Sequence, residues 1–228
     1  AKGYDVIVIV SAMAGKTNEL VGWVNQTSPL FDAREYDAVV ASGETITAGL
    51  MALRLQEMEI PARSWHGWQV PVRTTANHSA ARIEEIATDN INTKFSEGMR
   101  VAVVAGFQGI SNEGRITTLG RGGSDTTAVG FAAAFAAERC DIYTDVDGIY
   151  TTDPRISDKA RKLEKIAFEE MLELASLGAK VLETRSVEMA MRHKVKLRVL
   201  SSFEEQSDAA GTYVCAEEEI METNVVSG

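Results

Sequence analysis

Cysteine and histidine are scarce in this chain, with two and three copies in 228 residues. Cys140 and Cys215 form no CxxC pair and have no histidines clustered with them. This argues against a zinc site or a disulfide framework, and for a reducing, cytoplasmic setting. His66, His78 and His193 are scattered, and each is expected to be a surface or packing residue rather than a ligand or a base. Positive charge is also in short supply. The formal net charge is −10 and no dense run of Lys or Arg stands out, which disfavours a nucleic-acid surface. Long apolar runs are missing: Val6 to Val10, for one, is too short to cross a bilayer, and no signal peptide is visible. Neither a membrane nor a nucleic acid is an expected partner. The chain opens on Ala1 and goes almost directly into a strand, which reads as a processed or trimmed start.

Hydrophobic residues make up an ordinary 45%, and the length is enough to bury a sizeable core as one large α/β domain or two small ones. The β-branched run from Val6 to Val10 predicts a strand buried on both faces. Further strands are expected at 62–65, 101–105, 141–146 and 197–200, with a hairpin over 110–119 turning at Asn112-Glu113-Gly114. A helix capped by Thr17 is expected at 18–25. Residues 32–58 predict two helices, or one bent near Ser42-Gly43-Glu44. Others are expected at 79–86, 124–138, 167–176 and 186–192. The acidic tail beyond 202 offers at most a short edge strand at 211–215. Strands alternate with helices, so the fold class is α/β, a mainly parallel sheet between helical layers.

The most informative stretch runs Thr117-Thr118-Leu119-Gly120-Arg121-Gly122-Gly123-Ser124-Asp125-Thr126-Thr127-Ala128. Glycines around an arginine, leading into an alanine-rich helix, describe a loop that presents backbone N–H groups and a helix N-terminus to an anion. Other anion motifs fail. Ala14-Gly15-Lys16-Thr17 resembles a P-loop, but the first glycine of that motif falls on Val10. The GxGxxG pattern ends on Asp125, which would repel a pyrophosphate. Asp145-Val146-Asp147-Gly148 starts like a calcium loop, yet its glycine comes too early and no Glu closes it, so no metal site within the protein is expected. Three loops remain, at 11–19, at 106–109 with 119–126, and at 143–155. Taken singly, each can be an ordinary turn that uses Gly, Ser and Asp for geometry alone.

Together these segments resemble the aspartate kinases of the amino acid kinase family. The shared words are Val10-Ser11-Ala12-Met13, Thr17-Asn18-Glu19-Leu20, Ala41-Ser42-Gly43-Glu44, Val104-Ala105-Gly106-Phe107-Gln108-Gly109 and the stretch from Thr117 to Ala128. They continue with Ile142 through Arg155, Phe168-Glu169-Glu170-Met171, Gly178-Ala179-Lys180-Val181-Leu182 and Arg198-Val199-Leu200-Ser201-Ser202. The resemblance implies the three-layer fold of that family, with residues 1–215 as the catalytic domain and 216–228 as a polar tail or linker. It implies transfer of the γ-phosphoryl group of ATP, with Mg²⁺, to the side-chain carboxylate of L-aspartate, by a cytoplasmic homo-oligomer, a dimer or larger.

The roles it implies are specific. Arg121 pairs with the substrate α-carboxylate and Glu44 with its ammonium group. Gly15, Lys16, Thr17, Asn18 and Glu19 shape the pocket with Gly122, Gly123 and Ser124. Asp125 orients the catalytic lysines, and Lys180 meets the phosphates. Ser11, Tyr143, Thr144, Ile149, Tyr150, Thr151, Thr152, Asp153, Pro154 and Arg155 surround the nucleotide. The family's opening strand and its Lys-x-Gly-Gly loop have no counterpart here, so the first strand is expected to be missing and the chain as it stands impaired. No complete regulatory ACT domain is expected either. Two alternatives stay open: a related kinase acting on another acceptor, and a non-catalytic nucleotide- or amino-acid-binding module.

Overall fold

The computed structural model describes residues 3–178, 181–203 and 211–221. Two compact units are found, Ala1–Ala134 and Phe135–Gly228. The first carries β1 (Val6–Val10), α1 (Lys16–Thr27), α2 (Ala33–Val40), α3 (Ser42–Glu57), β2 (Ala62–Trp65), β3 (Val72–Thr74), β4 (Ile83–Ile86), α4 (Asp89–Ser96), β5 (Val101–Ala105), β6 (Gln108–Ile110), β7 (Ile116–Thr118) and α5 (Gly123–Ala134).

Its parallel sheet has the order β1-β5-β2. β5 is buried at every position, as a central strand covered on both faces must be. α3 lies across β2 and β5. Its Ala48 and Ala52 are small enough to let the helix approach, and they share a core with Val10, Ala62, Val101, Val103 and Ala105. α5 packs on β1. The expectation for β1 needs correction. It pairs only with β5 among the described residues, Val6 is 37% exposed, and only Val10 is fully buried. β-Branched residues suit any pleated surface, so their presence does not reveal how many faces are covered.

A second sheet has the order β4-β3-β6-β7, and the expected hairpin is its β6–β7 pair. The helix expected at 79–86 does not form. Ser79 takes a left-handed φ of 66°, and Ile83–Ile86 is strand β4, antiparallel to β3. Long-range pairing overrides local preference there. α1 also starts differently: Gly15, at φ 77°, is its N-cap, and Thr17 lies inside the first turn without capping. α5 stops at Ala134, short of residue 138, where Ala136 turns to φ 47°. The joint between α2 and α3 falls at Ala41. Residues 33–57 are long and apolar enough in composition to cross a membrane. Here, however, α3 covers a sheet, and the segment buries both Asp37 and Glu44.

The second unit contains β8 (Cys140–Thr144), β9 (Lys165–Ala167), α6 (Phe168–Ser176), α7 (Thr184–His193), β10 (Leu197–Ser201), β11 (Thr212–Cys215) and α8 (Glu217–Met221). Its sheet has the order β8-β10-β11-β9, with β8 parallel to β10 and β9 parallel to β11. The expected edge strand at 211–215 is therefore internal, because the short strand β9 pairs along its outer side. Arg198 on β10 is 5% exposed. It grips Asp141 of β8 with two bonds of 3.0 and 2.8 Å, and its guanidinium lies 5.7 Å from the ring centre of Tyr213 on β11, so one side chain ties three strands together. Cys140 and Cys215 are buried on β8 and β11, with β10 between them.

Candidate active site

β1, β5 and β2 run parallel, so their C-terminal ends share one edge, the usual place for a ligand in such a sheet. The turn after β1 holds Ser11, Ala12 and Gly15, and α3 begins beside it. Glu44, in the first turn of α3, is 3% exposed. Its Oε1 accepts the Ala12 N–H at 3.0 Å, while Oε2 is buried with no partner among the described residues. A Cβ at Gly43 would come within 2.8 Å of the Ala12 Cβ, so glycine is what allows this approach. Burial raises the pKa of Glu44, and the Ala12 N–H and the residue's own N–H pull the other way. A buried carboxylate with one oxygen unsatisfied is a site for a cationic donor.

The glycine-rich loop reaches the same edge through Phe107, which follows β5. Leu119 N–H donates to the Phe107 carbonyl at 2.9 Å, and Phe107 N–H donates to Thr127 Oγ1 at 3.1 Å. The loop is thus pinned on both sides of Arg121 to one residue. Phe107 itself has φ 66°, a costly conformation for an aromatic residue and one that only an over-determined setting holds. A Cβ at Gly123 would strike the Phe107 ring at 2.6 Å, and one at Gly106 would meet Ser124 Oγ at 2.9 Å. These contacts seat the first turn of α5, with Ser124 and Asp125, at the end of β5. Gly120 and Gly122 both take positive φ. Arg121 is exposed and makes no ion pair among the described residues, whereas Arg34, Arg54, Arg73, Arg100 and Arg115 all do.

Not every expected residue points to this edge. Lys16 pairs with Glu19 and lies 6.0 Å from the centre of the Trp23 ring, on the surface of α1 itself. Asn18 is exposed and Thr17 half-buried. In the second unit the expected nucleotide loop follows β8. Tyr143, Thr151, Thr152, Pro154 and Arg155 are exposed, Thr144, Tyr150 and Asp153 half-buried, and Ile149 buried. Arg155 is paired with Asp153, 2.8 Å away. Lys180 lies outside the described residues.

Sequence reasoning missed several groups that shape these loops. Thr212 Oγ1 accepts the Ile149 N–H at 2.8 Å and donates to the Leu163 carbonyl at 2.6 Å, closing the base of the loop that follows Ile149. Lys162 and Tyr150 both bind Asp147, at 3.1 and 3.0 Å, and lower its pKa against the opposing effect of burial. Gln108 donates to the Ala41 carbonyl at 2.9 Å and accepts from Gly67 N–H at 3.3 Å, joining the start of α3 to the end of β2. His66, at that end, is half-buried with Nδ1 unpartnered, and burial lowers its pKa. Tyr150 was expected near the nucleotide, and Gln108 and Asp147 lie within the shared words; Thr212 and Lys162 carried no separate signal, since each acts through a remote partner, and neither did half-buried His66.

Residues 1–201 match the model of the amino acid kinase family. An aspartokinase of Rickettsia felis is 51% identical over 100% of this chain and 57% of its own length. The crystal structure of an aspartate kinase from Synechocystis superposes with a TM-score of 0.80 at 46% identity, covering 94% of this chain and 35% of that one. The crystal structure of E. coli aspartokinase III in complex with aspartate and ADP gives a TM-score of 0.75 at 36% identity, over 88% of this chain and 45% of that one. The chain spans little more than half the length of the curated relatives it matches. With an α/β fold of mainly parallel strands, the chain belongs to the amino acid kinase family.

Proposed function

We propose that this chain is the catalytic part of an aspartate kinase, with residues 1–215 forming the catalytic domain and 216–228 a tail or linker. The observation that carries the reading is the Oε2 of buried Glu44, without a partner among the described residues, on the sheet edge to which the loop of exposed Arg121 is pinned. An α-amino acid offers the complementary charges, an ammonium for Glu44 and a carboxylate for the planar fork of Arg121. The aspartate and ADP in the E. coli relative's complex support aspartate and ATP as the substrates.

The chemistry then follows from charge. The aspartate side chain, with a reference pKa of about 3.9, is already ionised at pH 7, so no general base is needed. One of its oxygens attacks the γ-phosphorus, the bond to the β,γ-bridging oxygen breaks, and ADP leaves with that electron pair. The product is 4-phospho-L-aspartate, an acyl phosphate. Catalysis rests on aligning two anions and offsetting their repulsion. The N-termini of α1 and α5 supply N–H groups and partial positive charge, and at Gly15 an added Cβ would meet nothing within 4 Å, leaving its backbone open to a phosphate. Mg²⁺, held largely by phosphates and water, would neutralise further charge. Tyr143, Thr144 and the 149–155 loop are assigned to the nucleotide, and Lys180 to its phosphates. The full-length gene product, given ATP, Mg²⁺ and L-aspartate, is expected to release ADP in step with an acyl phosphate that hydroxylamine traps. ADP release indifferent to aspartate rejects the reading.

Two buried cysteines on strands separated by a third suit the cytoplasm. Self-association as a homodimer is supported by α3, where Ile46, Leu50 and Leu53 are 44, 53 and 63% exposed at helical spacing along one stripe. Leu50→Lys is expected to shift sedimentation toward the monomer, and an unchanged profile excludes this face.

A further inference from the structure

We infer that Asp37 is a positioning residue for the amino-acid pocket, a buried strut that sets the helix carrying Glu44 against the loop carrying Arg121. The inference rests on the function proposed above. Asp37 lies on α2 and is 0% exposed. Its Oδ1 accepts from Thr118 Oγ1 at 2.6 Å and from Ser79 N–H at 3.0 Å. Its Oδ2 accepts from His78 Nδ1 at 2.7 Å, with Ser79 N–H at 3.1 Å. Three separate donors thus converge on one carboxylate. A charge buried this deeply is tolerated only when it is fully hydrogen-bonded, so the surrounding segments are bound to keep their places around it.

Each link leads toward the pocket. Thr118 is the last residue of β7. The next residue, Leu119, donates to the carbonyl of strained Phe107, and Arg121 follows after Gly120. The carbonyl of Thr118 also accepts Ala81 N–H at 2.9 Å, so the 75–82 segment is held from both sides. Ser79 keeps its left-handed φ of 66° with its N–H directed at Asp37. In the other direction, the Asp37 carbonyl accepts Ala41 N–H at 3.0 Å. The Ala41 carbonyl in turn receives Thr45 Oγ1 at 3.2 Å and Gln108 Nε2 at 2.9 Å, at the turn of helix that holds Glu44. Arg115, just before β7, and Glu35 of α2 form a second bridge. The two residues assigned to opposite ends of the substrate therefore share one anchor. Asn at position 37 keeps one acceptor oxygen and puts an NH₂ in place of the other, which only a change of His78 tautomer or a turned Thr118 hydroxyl can meet, so the network has to rearrange.

The test uses steady-state kinetics of the full-length gene product. Asp37→Asn is expected to raise KM for aspartate by about tenfold to a hundredfold, the effect of a misplacement on the order of 1 Å, with KM for ATP within about twofold of wild type. Thr118→Val removes one link and should shift the same parameter in the same direction by less, while Thr118→Ser restores it. Should Asp37→Asn not fold, the Thr118 pair decides alone. Lower thermal stability with both KM values unchanged in Thr118→Val, or equal rises in both, overturns the proposal and leaves Asp37 a structural group only. If the wild type phosphorylates a different amino acid, the aspartate reading falls, and KM for that acceptor decides the role of Asp37 by the same comparison.

Discussion

Arg121→Ala is expected to lower kcat/KM for aspartate by about 10³-fold or more, because a charge-assisted, two-pronged contact to the α-carboxylate is lost at the moment of phosphoryl transfer. The unliganded protein should hardly notice. Arg121 is exposed and bonds to nothing among the described residues, so its removal leaves no buried group unpaired and the melting temperature should move by less than about 2 °C. The loop keeps its shape, since Leu119, Thr127 and Gly123 hold it against Phe107 without help from the guanidinium. Arg121→Lys preserves charge but not the planar fork, and is expected to recover only part of the loss. The measurement is aspartate-dependent ADP release by the full-length gene product, alongside thermal unfolding. A KM for aspartate that stays at the wild-type value in Arg121→Ala removes the physical basis for the proposed substrate.

Glu44→Gln is expected to separate function from stability. Deleting the buried negative charge that faces the substrate ammonium should lower kcat/KM for aspartate by about 10²- to 10³-fold, the range for breaking a desolvated ion pair. Stability should move the other way. Burial raises the pKa of Glu44, so the folded state holds its proton more tightly than the unfolded state does. Between the unfolded value, about 4.3, and the raised folded value, the native state binds more protons, and stability falls as pH rises through that window and stays reduced above it. Glutamine keeps an acceptor for the Ala12 N–H and carries no charge. Glu44→Gln should therefore melt about 2–4 °C higher at pH 7, and the gain should vanish below about pH 4. A variant less stable than wild type at pH 7, with aspartate KM unaltered, would show Glu44 to be a packing residue.

Much of the proposed site is read from the sequence. The words around Ser11, Glu44, Arg121 and Tyr143 carried the family, because loops that handle phosphates and carboxylates need glycine, hydroxyl and charge in a fixed order. What stayed hidden was every property that depends on a second segment. Phe107 is an ordinary aromatic in the sequence, and its positive φ exists only because Leu119 and Thr127 claim its backbone groups. His78 was read as a surface or packing residue, and it is packed, yet its bond to Asp37 ties it to the network behind the loop that carries Arg121. Of the two lysines expected at the site, Lys16 turns instead to Glu19 on its own helix, and Lys180 lies outside the described residues.

The sequence by itself determined the elements whose periodicity is strong and local. The strands β5, β8 and β10 and the helix pair α2–α3 lie close to where their apolar spacing put them, because each pattern is complete within one run of neighbours. Only the tertiary structure decided that Ile83–Ile86 is a strand, that β11 is an inner strand rather than an edge, and that Asp37 and Glu44 are buried. Those outcomes depend on which remote segment satisfies a hydrogen bond or excludes water, and a linear pattern does not contain that partner.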